Sequence, residues 1–260
     1  MFAKKSLGQH FLMDRRIVGR IADAVGSASL PVIEIGPGHG ELTRELLTRG
    51  HQVTAIEKDD ALVQAFLETP LDGLSVVHGD ALHELPLLSK VYQERGSAYV
   101  VVGNIPYYIT GHILRIIGEL SYRPQRTVLL MQKEVAERIV AFEGALNLLA
   151  SSVLWWADPH IDVRVARGAF NPPPKVDSAV VVFEAIASRG SQEVAQQYYI
   201  FIRALFKQPR KTIFNNLICI IPDRVVLTAL LGRVGITPSS RPHLLSPALL
   251  MRLFEEFYSL

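Results

Sequence analysis

The chain has 260 residues, 49% of them hydrophobic, and a net charge of only +2. This composition supports a large buried core and excludes intrinsic disorder, while the near-neutral balance means that any nucleic-acid surface must come from local clustering of cations. The one cysteine, Cys219, excludes an internal disulfide framework and a cysteine-based zinc site; within Leu217-Ile218-Cys219-Ile220-Ile221 it reads as a buried small hydrophobe.

Residues 1–22 carry Lys4, Lys5, Arg15, Arg16 and Arg20 against one acid, Asp14, a local charge of +4. Among them Ser6-Leu7-Gly8-Gln9-His10-Phe11-Leu12 is apolar and amide-rich, unlike a simple solvated tail. A basic arm folding over a cofactor accounts for the mixture; an ordinary first helix with a loose basic end is the alternative. Ile17, Ile21 and Ala24 supply the stripe of that helix.

Residues 31–35 predict a strand, Gly36-Pro37-Gly38-His39-Gly40 a turn, and 41–48 a helix with Leu42, Leu46 and Leu47 on one face. Strand, glycine turn and helix open a Rossmann-like unit. The next strand, 52–56, ends at Glu57, 21 residues after Gly36, where an acid accepts hydrogen bonds from ribose hydroxyls. A dinucleotide-binding turn would need glycine at position 41, which is Glu41. The tighter Gly-x-Gly-x-Gly form resembles motif I of S-adenosylmethionine (SAM) methyltransferases. A third strand, 74–77, leads to Asp80. Its carboxylate either caps the next helix or accepts from the exocyclic amine of an adenine; as the third such strand end, the second role is preferred.

Tyr99-Val100-Val101-Val102 predicts a buried parallel strand, followed by Gly103-Asn104-Ile105-Pro106-Tyr107. Gly103 is expected to free the backbone, and Pro106 to fix the turn. The product is a rigid bend at a strand's carboxyl end, offering an amide and an aromatic ring. That pair suits chemistry on the amino group of a nucleobase. Thr110 is expected to cap a helix through Ile113, Leu114, Ile116 and Ile117. A strand at 127–131, helices at 133–141 and 146–156, and a strand at 160–165 follow. Trp155 and Trp156 are expected in the core or at a domain seam rather than against RNA.

Phe170-Asn171-Pro172-Pro173-Pro174-Lys175 is a stiff loop carrying a ring at one end and a cation at the other, before a strand at 176–183. Ser188-Arg189-Gly190-Ser191 reads as a linker. Beyond it the stretch 194–222 holds no acid but carries Arg203, Lys207, Arg210 and Lys211, a basic face of the kind that grips phosphates. Helices at 223–234 and 247–257 complete the chain.

Together these motifs resemble the small-subunit ribosomal RNA adenine dimethyltransferase family. The residues carrying the resemblance run from Lys5-Ser6-Leu7-Gly8-Gln9-His10-Phe11-Leu12 through Glu34-Ile35-Gly36-Pro37-Gly38, Gly79-Asp80-Ala81-Leu82 and Asn104-Ile105-Pro106-Tyr107. They continue in Phe170 to Ser178, Arg210-Lys211-Thr212, Gly235-Ile236 and Arg241-Pro242-His243-Leu244-Leu245-Ser246. The resemblance implies an α/β fold: a Rossmann-like class I methyltransferase sheet over 1–187, with a small all-helical RNA-binding domain over 188–260. It implies SAM as cofactor and S-adenosylhomocysteine as product, held by His10, Leu12, Gly36, Gly38, Glu57, Asp80 and Asn104. The Asn104 side-chain oxygen and a backbone carbonyl of the turn, Ile105 or Pro106, would serve the transfer, with Tyr107 and Phe170 clamping the target adenine, and Lys4, Lys5, Lys175 and the basic face meeting RNA. His10 departs from the Asn frequent in relatives, and Pro209 interrupts a basic run and is expected to start a new helix. The implied activity is dimethylation of two adjacent adenosines near the 3′ end of small-subunit rRNA, in a pre-ribosomal particle, by a monomer that needs no metal. With no apolar run long enough to span a bilayer and no signal-peptide core, a soluble cytoplasmic protein is expected. The alternatives are a large-subunit rRNA methylase of the macrolide-resistance type and a non-catalytic assembly factor that keeps the fold.

Overall fold

The computed structural model describes residues 9–141 and 144–260. Its strands are β1 (Phe11–Leu12), β2 (Val32–Ile35), β3 (Val53–Glu57), β4 (Leu74–His78), β5 (Val100–Asn104), β6 (Arg126–Gln132), β7 (Ala157–Val165), β8 (Phe170–Asn171) and β9 (Ser178–Ala185). The helices are α1 (Arg15–Val25), α2 (Glu41–Thr48), α3 (Asp60–Glu68), α4 (Ala81–Glu94), α5 (Thr110–Glu119), α6 (Lys133–Val140) and α7 (Leu148–Leu154). The last four are α8 (Gln192–Leu205), α9 (Ile213–Leu217), α10 (Arg224–Val234) and α11 (Pro247–Tyr258). Contacts divide the chain into two compact units, 1–136 with 157–186, and 137–156 with 187–260. The stretch 137–156, expected in the first domain, therefore groups with the C-terminal helices.

The first unit is built on a seven-stranded sheet in the order β4-β3-β2-β5-β6-β9-β7. β4, β3, β2, β5 and β6 run parallel, and β9 runs antiparallel between β6 and β7. β2 is buried at every position and β5 at all but Asn104. Runs that are apolar but for Glu34 in β2 and Asn104 at the end of β5 are what strands covered on both faces require. One face receives α1 through Val18, Ile21, Ala22 and Val25, which join a core cluster with Val32, Val100 and Val128. The strand order reverses between β2 and β5, whose ends lie side by side with Ile35 opposite Gly103. Open α/β sheets bind ligands at such a switch. A separate two-stranded ribbon pairs β1 with β8, Leu12 opposite Phe170.

In the second unit Trp155 stacks on Tyr198 at 4.6 Å and 24°, and Phe254 meets both rings edge-on. Tyr198 donates its hydroxyl hydrogen to the Ser151 carbonyl at 2.7 Å. Both tryptophans are buried in this interior.

Three local expectations are corrected. Thr110 is the first residue of α5 and does not cap it: its hydroxyl is buried with no partner among the described residues, because the preceding 3-10 turn enters the helix directly through Ile109. Pro209 lies in a turn, and α9 starts four residues later with the Thr212 side chain as its cap. Cys219 is exposed, because α9 ends at Leu217 and turns its neighbour outward.

Candidate active site

Gly36, Gly38 and Gly40 have φ of +68°, +58° and +85°, which lets the chain leave β2 in a left-handed turn. Gly103 works differently. Its φ is ordinary, but a Cβ there would lie 2.7 Å from the Ile35 carbonyl oxygen, so glycine is needed for the close approach of β2 to β5. Pro106 has φ −54° and ψ 131° and leads into a short 3-10 turn, while Ile105 is buried beneath the bend.

These strand ends surround a cavity of about 190 Å³. Of the residues singled out in the sequence, His10, Gly36, Gly38, Glu57, Asp80, Asn104, Pro106 and Tyr107 line it. Leu12 and Phe170 do not. Both side chains belong to the core cluster under α1, and Phe170 is only 4% exposed. The β1–β8 pairing turns Phe170 inward, so the expected second jaw of a base clamp is a core residue here. Lys4 and Lys5 lie outside the described residues. Lys175 is exposed on the proline loop, and Arg203, Lys207, Arg210 and Lys211 are exposed on α8 and the turn after it.

The Asn104 amide nitrogen donates to the His10 carbonyl at 2.8 Å. A carbonyl can only accept, so this contact fixes which arm of the amide carries nitrogen. Oδ1 takes no hydrogen bond among the described residues. His10 is held in turn, its Nδ1 donating to the Pro172 carbonyl at 2.8 Å.

The Glu57 carboxylate accepts from the backbone N–H of Lys58 and Asp59, both at 2.8 Å, and more loosely from Gly38 at 3.4 Å. Burial pushes its pKa up, against the opposing pull of those three N–H groups. Of the two roles weighed for Asp80, the helix cap is the one seen. One oxygen caps α4 by accepting from Leu82 N–H at 2.9 Å; the other faces Lys58 Nζ at 2.7 Å. Burial alone would raise the Asp80 pKa, but Lys58 and the cap bond outweigh it and hold the group below its ordinary value. Tyr107 shares a 2.7 Å hydroxyl bond with Ser178, and burial raises its pKa, so the phenol stays neutral.

Sequence reasoning missed Phe11, Lys58 and Tyr108 as lining residues. Phe11 packs on His39 with ring centroids 4.0 Å apart and crowds the space a Gly38 side chain would need. Tyr108 is 62% exposed at the rim. The signal for each was adjacency: all three are next to residues already chosen.

A family model described as ribosomal RNA adenine dimethylase matches residues 2–259. The chain belongs to the ribosomal RNA adenine dimethylase family. Relatives named ribosomal RNA small subunit methyltransferase A agree with that membership. The protein of Dehalococcoides mccartyi strain CBDB1 is 38% identical over 251 residues, covering 94% of this chain and 84% of its own. That of Geobacillus thermodenitrificans is 35% identical over 260 residues, covering 94% and 87%. Among solved structures, the 23S rRNA methyltransferase ErmE superposes with a TM-score of 0.70 at 28% identity, covering 95% of this chain and 98% of that one. A dimethyladenosine transferase from Plasmodium falciparum gives a TM-score of 0.77 at 23% identity, with 96% and 98% covered, a likeness of fold. No described helix of this family member is long and apolar enough to cross a membrane.

Proposed function

We propose that the cavity holds SAM and one flipped adenosine side by side, and that the bend at Asn104 aims the adenine amine at the methyl donor. The protein is a SAM-dependent small-subunit (16S) rRNA adenine dimethyltransferase, as its family and its curated relatives indicate. The observation that carries the site assignment is the Asn104 amide, pinned through nitrogen and open at oxygen.

The residues present fit the cofactor. Among the described residues Glu57 Oε2 is engaged by a single 3.4 Å contact, leaving lone pairs for a ribose hydroxyl. Asp80 can accept from an adenine amine with lone pairs not used by Leu82 or Lys58, and Ile56 and Leu82 offer apolar walls to a ring. Gly36 and Gly38 bring bare backbone to the amino-acid end, with His10 closing the same side. Leu12 would act through its burial, which anchors the arm. SAM supplies a methyl group made electrophilic by its sulfonium.

The adenine amino nitrogen is a weak nucleophile because its lone pair is delocalised into the ring. Asn104 Oδ1 would accept one of its hydrogens. The Pro106 carbonyl already accepts from Ile109 N–H at 3.1 Å, so the second acceptor falls to the Ile105 carbonyl. Two such bonds favour a pyramidal nitrogen whose lone pair faces the methyl carbon. Tyr107, its hydroxyl tied to Ser178, would stack on the base, a contact worth roughly 1–3 kcal/mol. Catalysis is then positioning by fixed dipoles, and no strong base is needed, since the cationic product nitrogen loses its proton to solvent. For the second methyl, the amine re-enters with one hydrogen left, bonded to one of the two acceptors.

The substrate particle is a small subunit late in assembly, bound through the exposed cations of α8 and the turn after it, and the protein acts as a soluble cytoplasmic monomer. The large-subunit reading rests on the shared fold with ErmE, whereas the curated relatives of this chain are named for the small subunit. Mass spectrometry of nucleosides from undermethylated ribosomal subunits incubated with protein and SAM tests the assignment. N6,N6-Dimethyladenosine should appear in small-subunit RNA; its appearance only in large-subunit RNA would overturn it.

A further inference from the structure

An open groove lies across the β1–β8 ribbon from the cavity. Met13 and Ala169 give it an apolar lining, and Arg15, Arg16 and Arg164 line it with cations beside one acid, Asp14. Arg15 and Arg16 occupy the first turn of α1, which holds no acid. There the helix dipole opposes cations, so helix stability does not explain them. Arg16 pairs with Asp14, the cap of the helix, at 3.0 Å. Arg15 is exposed and makes no hydrogen bond or ion pair among the described residues. Met13 is 51% exposed.

An apolar surface edged by arginines matches a nucleotide, which joins a flat ring to an anionic phosphate. Its position matches as well. Phe11 lines the cavity and Met13 lines the groove, two residues apart along an extended segment, or about 7 Å. A strand that places one base in the cavity would carry its neighbour across the ribbon. We propose that this groove holds the nucleotide adjoining the target adenosine, with its phosphate on Arg15 and Arg164 and its sugar or base against Met13. The inference rests on the rRNA methylation reading and adds the path of the substrate strand.

The test is the double variant Arg15→Glu, Arg164→Glu, assayed on undermethylated small subunits and on a protein-free RNA fragment containing the target. A glutamate in the first turn of α1 suits the helix dipole, so unfolding of α1 would not account for a loss. KM should rise about tenfold or more on both substrates, with the salt slope of kcat/KM smaller by about 1–2. Near-wild-type kcat, unchanged equilibrium binding of SAM, and recovery in Arg15→Lys, Arg164→Lys are also expected. Unchanged KM and salt slope would overturn the proposal. A loss confined to intact subunits would overturn it too, by assigning the groove to a ribosomal protein. Wild-type protein inactive on both substrates would instead overturn the enzymatic reading, and the groove with it.

Discussion

Two residues of the first unit give opposite lessons about buried side chains. Phe170 lies at a position where an aromatic clamp is expected, yet its ring is in the core with Leu12 and Val180. Phe170→Ala should act mainly through stability, costing about 3–5 kcal/mol as large-to-small core changes do. Thermal melting checks this: a markedly lower midpoint is expected, whereas an unchanged midpoint with lost methyl transfer would restore the clamp. Glu34 is a carboxyl only 1% exposed at the centre of the sheet, where it accepts from the Thr43 hydroxyl at 2.7 Å. Burial pushes its pKa from 4.5 up to about 7, Thr43 opposes the shift, and the carboxylates of Glu41 and Glu57 add to it. Its folded pKa is raised, so its contribution is intact below pH 4.5 and is lost as pH rises to 7. Glu34→Gln should therefore be more stable than wild type at pH 8 by about 1–3 kcal/mol and similar to it near pH 4.5. Urea unfolding at the two pH values checks it; equal differences at both would contradict the assignment.

At the scale of elements, the cavity follows from how β2, β3, β4 and β5 end. Each strand delivers one group at its carboxyl end: the Gly36 turn, Glu57, Asp80 and Asn104. These were legible in the sequence because apolar runs fix strand ends and a glycine, acid or amide at each end is a local signal. The inward turn of Phe170 was not legible, because it depends on β8 pairing with β1, far away in the chain. Cys219 misled for a related reason: its neighbours are apolar, but the short α9 ends before it. The basic face of α8 and the following turn carries its own prediction. Replacing Arg203, Lys207, Arg210 and Lys211 with neutral residues should weaken binding to small subunits and flatten its salt dependence by about 0.7–0.9 per lost phosphate contact. Filter binding over a range of salt checks this, and an unchanged slope would remove the RNA-gripping role.

At the scale of the whole molecule, the alternation of strands with helices and the helical character of the C-terminal region were readable from periodicity, but the order of the strands in the sheet was not. The grouping of 137–156 with 187–260 was not, because it reflects contacts such as Tyr198 to Ser151 and Trp155 to Tyr198 between segments distant in the chain. What the fold achieves is to carry one amide, bonded through nitrogen to the arm, to the point where two parallel strands diverge. The most direct measurement is the rate of dimethyladenosine formation in undermethylated small subunits by Asn104→Ala at saturating SAM, beside its affinity for the same subunits. The predicted result is a rate lower by about 10²–10³ with subunit binding largely kept. A wild-type rate would contradict the assignment of the transfer step to this bend.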